Sequence, residues 1–559
     1  MIITRAKQSL AISPMINQNT HWQNSRHYTE EQLHTATVVL DEIRSGIETM
    51  KAVRSYPLKE GGYIAKHMLV YVYRQQVEDG VHPADNSLLA RIRMKPIRSL
   101  SGVSTVTVLT KPYTCPGNCI FCPDDKELPK SYLREEPGAA RAFQNEFDPF
   151  RQVKSRLDSY RAIGHPVNKI ELLILGGSWS SYPDAYQEQF IKRCFDAMNG
   201  ADSPDLESAQ KLNETAQSRN VGLVVETRPD MVTPSEITRM RTLGVTKVQM
   251  GAQSFDDEIL LKNLRGHTVH ATLQATALLR AAGFKIVLHW MPNLLGATIE
   301  SDRLDFQKLW TGGFCPDELK IYPTQLLEEA PLYAIWKQGD YNPYTTDELV
   351  NLIADIKPSI PIYTRVNRIV RDIPANYIKA GSKRSSLRQD VHIELKKRNQ
   401  QCRCIRCREI RGASVDSNEL ILEDHVYTAA FAQEHFLNYR TKNDKIAGYL
   451  RLSISTISTN PDYTKRKEEL YTLVPELKNA SLIREVHIYG QSLVIGSEKT
   501  GAAQHTGLGT DLIKKAEQIT RENGLQKIVV IAAVGTRLYY EKRGFVRSGL
   551  YMTKELKEK

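Results

Sequence analysis

Three cysteines fall close together in Tyr113-Thr-Cys115-Pro-Gly-Asn-Cys119-Ile-Phe-Cys122-Pro, a C-x3-C-x2-C spacing on one stretch of chain. Thiolates so placed hold a metal group from a single loop. Structural zinc takes four protein ligands, and iron–sulfur cubanes commonly have four cysteines. No fourth cysteine lies nearby, so the spacing favours an iron–sulfur cluster with one iron open to a substrate. A zinc site completed by a histidine or a distant cysteine is the alternative. A second cluster reads Cys402-Arg-Cys404-Ile-Arg-Cys407. With Cys315, at the Phe314-Cys315-Pro316 turn, as fourth ligand it would make a closed zinc site that ties a connector to the preceding domain. Cys194, on an expected helix, reads as a small core residue. A third motif, Gln504-His505-Thr506-Gly507-Leu508-Gly509, runs straight into the amphipathic DLIKKAEQI. Glycines there let backbone N–H groups approach a ligand, and the helix start offers an anion site suited to a pyrophosphate.

These motifs need elements to position them. Short β-branched runs recur at 104–110, 169–177, 222–230, 247–254, 285–293, 318–325 and 361–368, separated by stretches of helical periodicity such as Arg141–Ile163, Asp184–Met198 and Thr268–Ala282. That alternation predicts an α/β domain with a parallel sheet, open or closed into a barrel, whose chemistry sits at the carboxyl ends of the strands. The first cysteine cluster directly follows the first such strand. Residues 1–95 read as helical. TEEQLHTATVVLDEIRSGIETMKAV (29–53) is an amphipathic helix with a capping signal, and a second helix covers Gly62–Val77. The expected organisation is 1–95 helical, 96–375 the strand–helix domain, 376–415 a basic cysteine-bearing linker, and 416–559 a mixed α/β domain.

The chain has 559 residues, 41% hydrophobic and 25% charged, which gives enough apolar material for several cores and excludes global disorder. No run approaches the ~18 apolar residues of a membrane span, and the start MIITRAKQSLAISP lacks a secretory apolar stretch. A soluble, cytoplasmic protein without membrane association is expected, in which eight cysteines are not a disulfide scaffold. The net charge of +11 is concentrated: residues 361–411 hold 14 Lys and Arg against 4 Asp and Glu. Such a segment suits a polyanion, although a solvated face would carry the same charge.

The cysteine loop after the first strand and the repeated βα pattern resemble the radical S-adenosylmethionine superfamily. The resemblance implies a 4Fe-4S cluster on Cys115, Cys119 and Cys122, with S-adenosylmethionine on its open iron and an external electron donor. It also implies cofactor contacts at Gly176 and Gly177, where the superfamily's acidic residue after the glycines is replaced by Ser178, and at Glu226 and Arg228 of Glu226-Thr227-Arg228-Pro229-Asp230. The order strand 484–490, Q-x-x-G-x-G loop, helix, strand KIVVIAAV and YY-x-x-x-GF resembles the GCN5-related acetyltransferase fold, which implies acetyl-CoA. The linking strings HWMPNLLGAT, PDELKIYPT, RVNRIVRDIPANYI and CRCIRCREI resemble the family of Elongator catalytic subunits over nearly the full length.

That family resemblance implies a partial TIM-like radical-SAM barrel joined to an acetyltransferase domain. It implies an enzyme that forms 5-carboxymethyluridine at the tRNA wobble position: a radical drawn from the acetyl group of acetyl-CoA adds to the base, and hydrolysis frees the product. The acetyl-CoA contacts carried over are Glu485, Val486, His487, Ile488, Leu508, Gly509, Thr510 and Tyr540, with Tyr540 beside the thioester sulfur. Lys169, which opens the second strand, is a further contact. By itself Lys169 would read as an ordinary strand-end lysine.

The tRNA anticodon stem-loop is the expected polyanion. Its surface would be built from Arg365, Arg368, Arg371, Lys379, Lys383, Arg384, Arg388, Lys396, Lys397 and Arg398, with Tyr363 and Tyr377 as stacking aromatics. The mildly basic first 95 residues would extend it. Monomer and homodimer are both compatible with the sequence. Two other function classes compete: a protein-lysine acetyltransferase with a merely structural cluster, which needs neither S-adenosylmethionine nor reductant, and a tRNA-binding scaffold, which consumes no cofactor.

Overall fold

The computed structural model describes residues 28–411, 416–489 and 507–556. They form two compact units. The first, ending at Met94 and including Ala162–Gly164, is helical, with helices Glu30–Arg44, Thr49–Ser55, Lys66–Glu78 and Asn86–Ile92 around a core of Ala36, Val39, Leu40, Ile43, Leu69, Val70, Leu88 and Ile92. The Thr29 hydroxyl accepts from Gln32 N–H while the Gln32 side chain accepts from Thr29 N–H, a complete capping box. The single helix expected over 29–53 is broken at Gly46, whose φ of +107° suits glycine and not a continuing helix.

In the second unit seven strands form one parallel sheet in sequential order: β1 (Ser104–Leu109), β2 (Lys169–Leu175), β3 (Arg219–Thr227), β4 (Lys247–Gln253), β5 (Lys285–Trp290), β6 (Glu318–Ile321) and β7 (Arg365–Ile369). β1 and β7 do not pair with each other, so the barrel is partial. One face of each strand packs on helices. Val106, Val108, Ile170, Leu172, Leu223, Val225, Val248, Ile286, Leu288, Leu319 and Val366 are all essentially dry. Residues on the other face line a central cavity. Parallel strands are normally apolar on both faces, so polar residues at alternate positions here mark an interior that is not simple core.

The carboxyl-terminal sheet has the order β13-β14-β12-β11-β10-β9-β8, with β8 (Ile421–Ala429), β9 (Ala432–Arg440), β10 (Ile446–Ser455), β11 (Ser481–Ile488), β12 (Lys527–Val530), β13 (Val546–Ser548) and β14 (Tyr551–Glu555). The amphipathic helix Leu508–Glu522 buries Leu512, Ile513, Ala516 and Ile519 against it. Although this sheet has its own core, it packs with the barrel into one compact unit.

Buried ion pairs join the two sheets. Arg484 on β11 donates to Asp317 at 2.6 and 2.8 Å and to Glu434 at 3.1 Å; Arg451 on β10 reaches Asp317 and Glu485; all but the partly exposed Glu485 are dry. Desolvated charges cost heavily unless matched, so this set fixes how the sheets dock. No helix among the described residues is long and apolar enough to cross a membrane.

Candidate active site

The cysteine loop leaves the carboxyl end of β1. Backbone bonds hold it: Ile120 N–H donates to Asn263 O at 3.3 Å, and Leu332 N–H to Ile120 O at 2.9 Å. Cys119 is buried. The Cys122 thiol donates to it, and Arg265 Nη1 lies 3.5 Å from its Sγ. The contact with Cys122, with positive charge from Arg265 and Arg228, outweighs burial and brings the Cys119 pKa down to about 5, while Cys122 is pushed up by the same contact. A thiolate is the form that binds metal. Gly117 N–H lies 3.4 Å from Cys115 Sγ. A Cβ on Gly117 would overlap Arg228 Nη1, so the glycine is what lets the guanidinium approach the loop.

Gly176 and Gly177 follow β2 with φ of +130° and +92°, and a Cβ on Gly176 would overlap Thr110 Oγ1. Glu226, at the end of β3, accepts from Tyr132 OH at 3.3 Å and lies 3.6 Å from His289 Nδ1. Arg228 is buried, bound to Asp230 at 2.9 Å, and its Nη1 has no partner. Cluster loop, glycine pair, Glu226 and Arg228 therefore share the carboxyl end of the barrel, as the sequence expects.

Below them lies a cavity of about 900 Å³. Its upper wall includes Cys122, Gly177, Glu226 and Tyr322. Its middle is lined by Glu171, Lys247, Gln249, Lys285, His289, Glu318, Lys320 and Asn367, and its far end by Glu485, Val486 and His487 of β11 and by Thr536 and Tyr540 from the helical turns that follow β12. The middle is charged and internally matched. Lys285 reaches Glu318 at 2.7 Å, and Lys247 reaches Glu318 at 3.3 Å and Glu171 at 2.5 Å. Burial raises the Glu318 pKa, but the two lysines outweigh it and hold the group ionised.

On β11, pairing with β12 covers Ser481, Leu482 and Ile483. Glu485, Val486 and His487 pair only with β10 among the described residues, so their edge toward β12 is open. Glu485 accepts from Tyr449 OH at 2.8 Å, from Arg451 Nε at 3.0 Å and from Lys285 at 2.5 Å. Burial and nearby positive charge lower the His487 pKa to about 4, which leaves the imidazole neutral at pH 7. Gly507, at φ +78°, starts the helix. Gly509 faces Tyr539 OH and Ile488, and Thr510 Oγ1 accepts from Arg543 at 2.9 Å. Gln504, His505 and Thr506 lie outside the described residues.

Lys169 stands at the opposite end of β2 from the cysteine loop, half-buried and in register with Arg219. Gly535 packs on Arg219 and Asn220, so Lys169 belongs to the barrel end on which the carboxyl-terminal domain sits. Burial lowers its pKa.

Cys402, Cys404 and Cys407 converge, their sulfurs all within 4.8 Å of one another. Cys404 and Cys407 are 3.7 Å apart, close to the edge of about 3.8 Å of a tetrahedron with 2.3 Å zinc–sulfur bonds. The expectation for Cys315 is corrected. Its thiol faces Trp310 O and Thr428 O, each at 3.7 Å, in a separate cluster with Tyr363, because the turn after the helix Ile299–Thr311 points it toward the second sheet.

The basic segment is also less open than its composition suggests. Arg371 is tied to Glu136 at 2.8 Å, Arg365 to Glu409 at 2.6 Å, Lys379 to Glu328 at 2.5 Å, Arg384 to Asp390 at 2.8 Å and Arg398 to Asp355 at 2.6 Å. Tyr363 is buried and stacked on Tyr427 at 3.6 Å, so it offers no face to a base. Lys383 and Lys396 remain exposed with no acidic partner among the described residues.

Sequence reasoning missed Arg265 and the cavity pairs Lys247–Glu318 and Lys285–Glu485. A signal exists: charged or amide residues at alternate positions in Lys247-Val-Gln249, Glu318-Leu-Lys320 and Arg365-Val-Asn367, each inside a β-branched or apolar run.

Residues 110–306 match the Radical SAM superfamily, and residues 316–397 match the Radical_SAM C-terminal domain. Partial parallel barrel and cysteine loop together define a radical SAM protein. A tRNA uridine(34) acetyltransferase of Methanocaldococcus jannaschii is 40% identical over 84% of this chain and 87% of that protein, and one of Dehalococcoides mccartyi is 42% identical over 82% and 99%. Elongator complex protein 3 of Schizosaccharomyces pombe is 36% identical over 84% and 88%. The structure of Methanocaldococcus infernus Elp3 with an N-terminal deletion superposes with a TM-score of 0.69 at 36% identity, over 81% of this chain and 99% of that one. The chain belongs to this Elongator protein 3 family.

Proposed function

We propose that this chain forms 5-carboxymethyluridine at the wobble position of tRNA, drawing its two-carbon unit from acetyl-CoA. The observation that carries the reading is the single cavity reaching from Cys122 to Glu485, His487 and Tyr540. A radical site and an acyl site at the two ends of one chamber suit a reaction that needs both.

Cys115, Cys119 and Cys122 would hold a 4Fe-4S cluster. The donor set fits: the contact with Cys122 and the positive charge of Arg265 and Arg228 lower the Cys119 pKa toward the thiolate form that binds metal, and Arg228 Nη1 is without a partner. Gly176, Gly177, Glu226 and Arg228 would hold S-adenosylmethionine. When bound, the cluster supplies the electron that cleaves the sulfonium to a carbon radical.

The carboxyl-terminal domain is read as a GCN5-related acetyltransferase fold. The open β11 edge at Glu485–His487 would pair with the pantetheine amides, and Leu508, Gly509 and Thr510 would present helix N–H groups to the pyrophosphate. Tyr540 would sit at the thioester. Lys169 would approach the acyl group from the barrel end. Neutral His487 can accept a proton from the water that releases the product. Cys402, Cys404 and Cys407 would hold zinc, and the exposed lysines of the basic segment would engage the anticodon stem-loop.

The test is an anaerobic assay with reductant, S-adenosylmethionine, acetyl-CoA and tRNA, read by nucleoside mass spectrometry. Carboxymethylated uridine is expected. Cys119→Ala should abolish it without loss of acetyl-CoA binding, and Gly507→Trp should abolish it through the acyl half. Acetylation of a peptide without S-adenosylmethionine, or tRNA binding without consumption of either cofactor, would overturn the reading.

A further inference from the structure

Three lysines line the middle of the chamber, and two of them are matched. Lys247 meets Glu171 at 2.5 Å and Glu318 at 3.3 Å, and Lys285 meets Glu318 at 2.7 Å and Glu485 at 2.5 Å. The third, Lys320, stands on β6 two residues beyond Glu318 and is 9% exposed. No carboxylate among the described residues pairs with it. Its Nζ donates to Gln249 Oε1 and lies 5.6 Å from the centre of the Tyr322 ring. His289 Nε2 lies 3.1 Å from the same amide oxygen. An ammonium only donates, so the atom it meets is the oxygen, the imidazole nitrogen facing it carries a proton, and both acceptor positions of that oxygen are taken. A neutral amide leaves the charge of Lys320 in place, and a ring face at that distance offsets only part of it. An ammonium withdrawn from bulk water without an anion is disfavoured. A negatively charged ligand oxygen would supply the match.

We infer that Lys320 is a substrate contact that binds an acyl oxygen of the two-carbon unit between the two ends of the chamber, an inference that rests on the function proposed above. Its place in the barrel supports this. In register with it on β5 is His289, whose Nδ1 lies 3.6 Å from Glu226 of the upper wall, and Tyr322 belongs to that wall. On the other side the row from Glu318 through Lys285 to Glu485 leads to β11. S-adenosylmethionine also carries a carboxylate, but Arg228 beside the cysteine loop has Nη1 without a partner to meet it. Hydrolysis of a thioester puts the water oxygen on the acyl carbon, breaks the C–S bond, and yields a carboxylate, a thiol and one proton that leaves to solvent. The negative charge that appears on the acyl oxygens is what a fixed ammonium stabilises. Lys247 and Lys285 are already matched, which leaves Lys320 for the task.

The experiment compares full-length wild type with Lys320→Met, which removes the charge at similar length, and Lys320→Arg, which keeps it. In the anaerobic assay Lys320→Met should form carboxymethyluridine at least about 100-fold more slowly, the range seen when one donor to a developing oxyanion is removed. Lys320→Arg should recover part of the loss. Binding of S-adenosylmethionine to Lys320→Met, measured by equilibrium dialysis, should stay at the wild-type value. Without acetyl-CoA or RNA, the Tm of Lys320→Met should equal or exceed that of wild type, whereas Lys247→Met, which breaks a matched pair, should lower it. Product formation by Lys320→Met at the wild-type rate would overturn the inference. Weakened S-adenosylmethionine binding would also overturn it, by giving the ammonium to that cofactor's carboxylate. A lowered Tm or failure to fold would do the same, by making the lysine structural. Failure of wild type itself to form carboxymethyluridine would overturn the proposed function and with it the substrate named here, while the Tm comparison would still read whether the charge is unmatched.

Discussion

Lys285 on β5 and Glu485 on β11 meet at 2.5 Å, Nζ to Oε1, so the wall of the barrel and the strand expected to hold coenzyme A share one ion pair. Both residues line the same cavity. Through Glu318 the pair continues to Lys247 and Glu171, a row of matched charges across the barrel interior.

Removing one member of this row should cost more than removing two. Glu485→Ala takes one carboxylate from Lys285 and Arg451, which keep Glu318 and Asp317, and should destabilise the protein by about 1–3 kcal/mol, the cost of lost hydrogen bonds to charged groups. Adding Lys285→Met should recover part of that loss. Thermal denaturation of the two variants and the double variant checks both statements.

The pH dependence of stability follows from the same residues. Burial raises the Glu485 pKa, but Lys285 and Arg451 outweigh it and hold the group at about 2. Its stabilising contribution is complete above the ordinary value of 4.5 and is lost as pH falls toward 2. His487 and His267 are lowered to about 4, chiefly by burial. The unfolded chain binds their protons first, so stability also falls as pH drops from 6.5 to 4. A urea melt series should show both limbs. Glu485→Gln should flatten the lower one and His487→Gln part of the upper.

Gly509 is held by its neighbours and not by its φ. A Cβ there would stand 2.6 Å from Tyr539 OH. Gly509→Ala should therefore cost about 1–3 kcal/mol by overpacking and weaken acetyl-CoA binding measured by calorimetry. Tyr539→Phe removes the clashing oxygen and should restore part of both.

The ion pairs within the basic segment rank its residues for tRNA. Lys383→Glu and Lys396→Glu should each weaken binding and lower the slope of log K against log salt, by up to about 0.9 for each phosphate no longer neutralised. Arg384 is already matched by Asp390 at 2.8 Å, so Arg384→Glu should have the smaller effect. Gel shifts across a salt series, with equal slopes for all three variants as the contrary result, decide the point.

The seven barrel strands, the helix after the glycine loop and the cysteine loop at the end of β1 were all legible in the sequence, because each is set by local periodicity or by ligands close together in the chain. Gly46 shows the limit at short range: one positive φ divides a helix that periodicity alone would join. Which residues would meet across the molecule was not legible. Cys315 and Cys404 look alike in sequence, yet only the second joins a converging set, because the turn after Thr311 sends Cys315 toward Thr428. Tyr363 reads as a stacking platform and is instead buried under Tyr427. The sequence by itself determined the element types and the local ligand sets, which depend on neighbours a few residues apart. Only the tertiary structure decided that the cluster loop and β11 open onto one chamber and that Lys285 meets Glu485 there, since matching a buried charge depends on which distant groups the packing brings within reach.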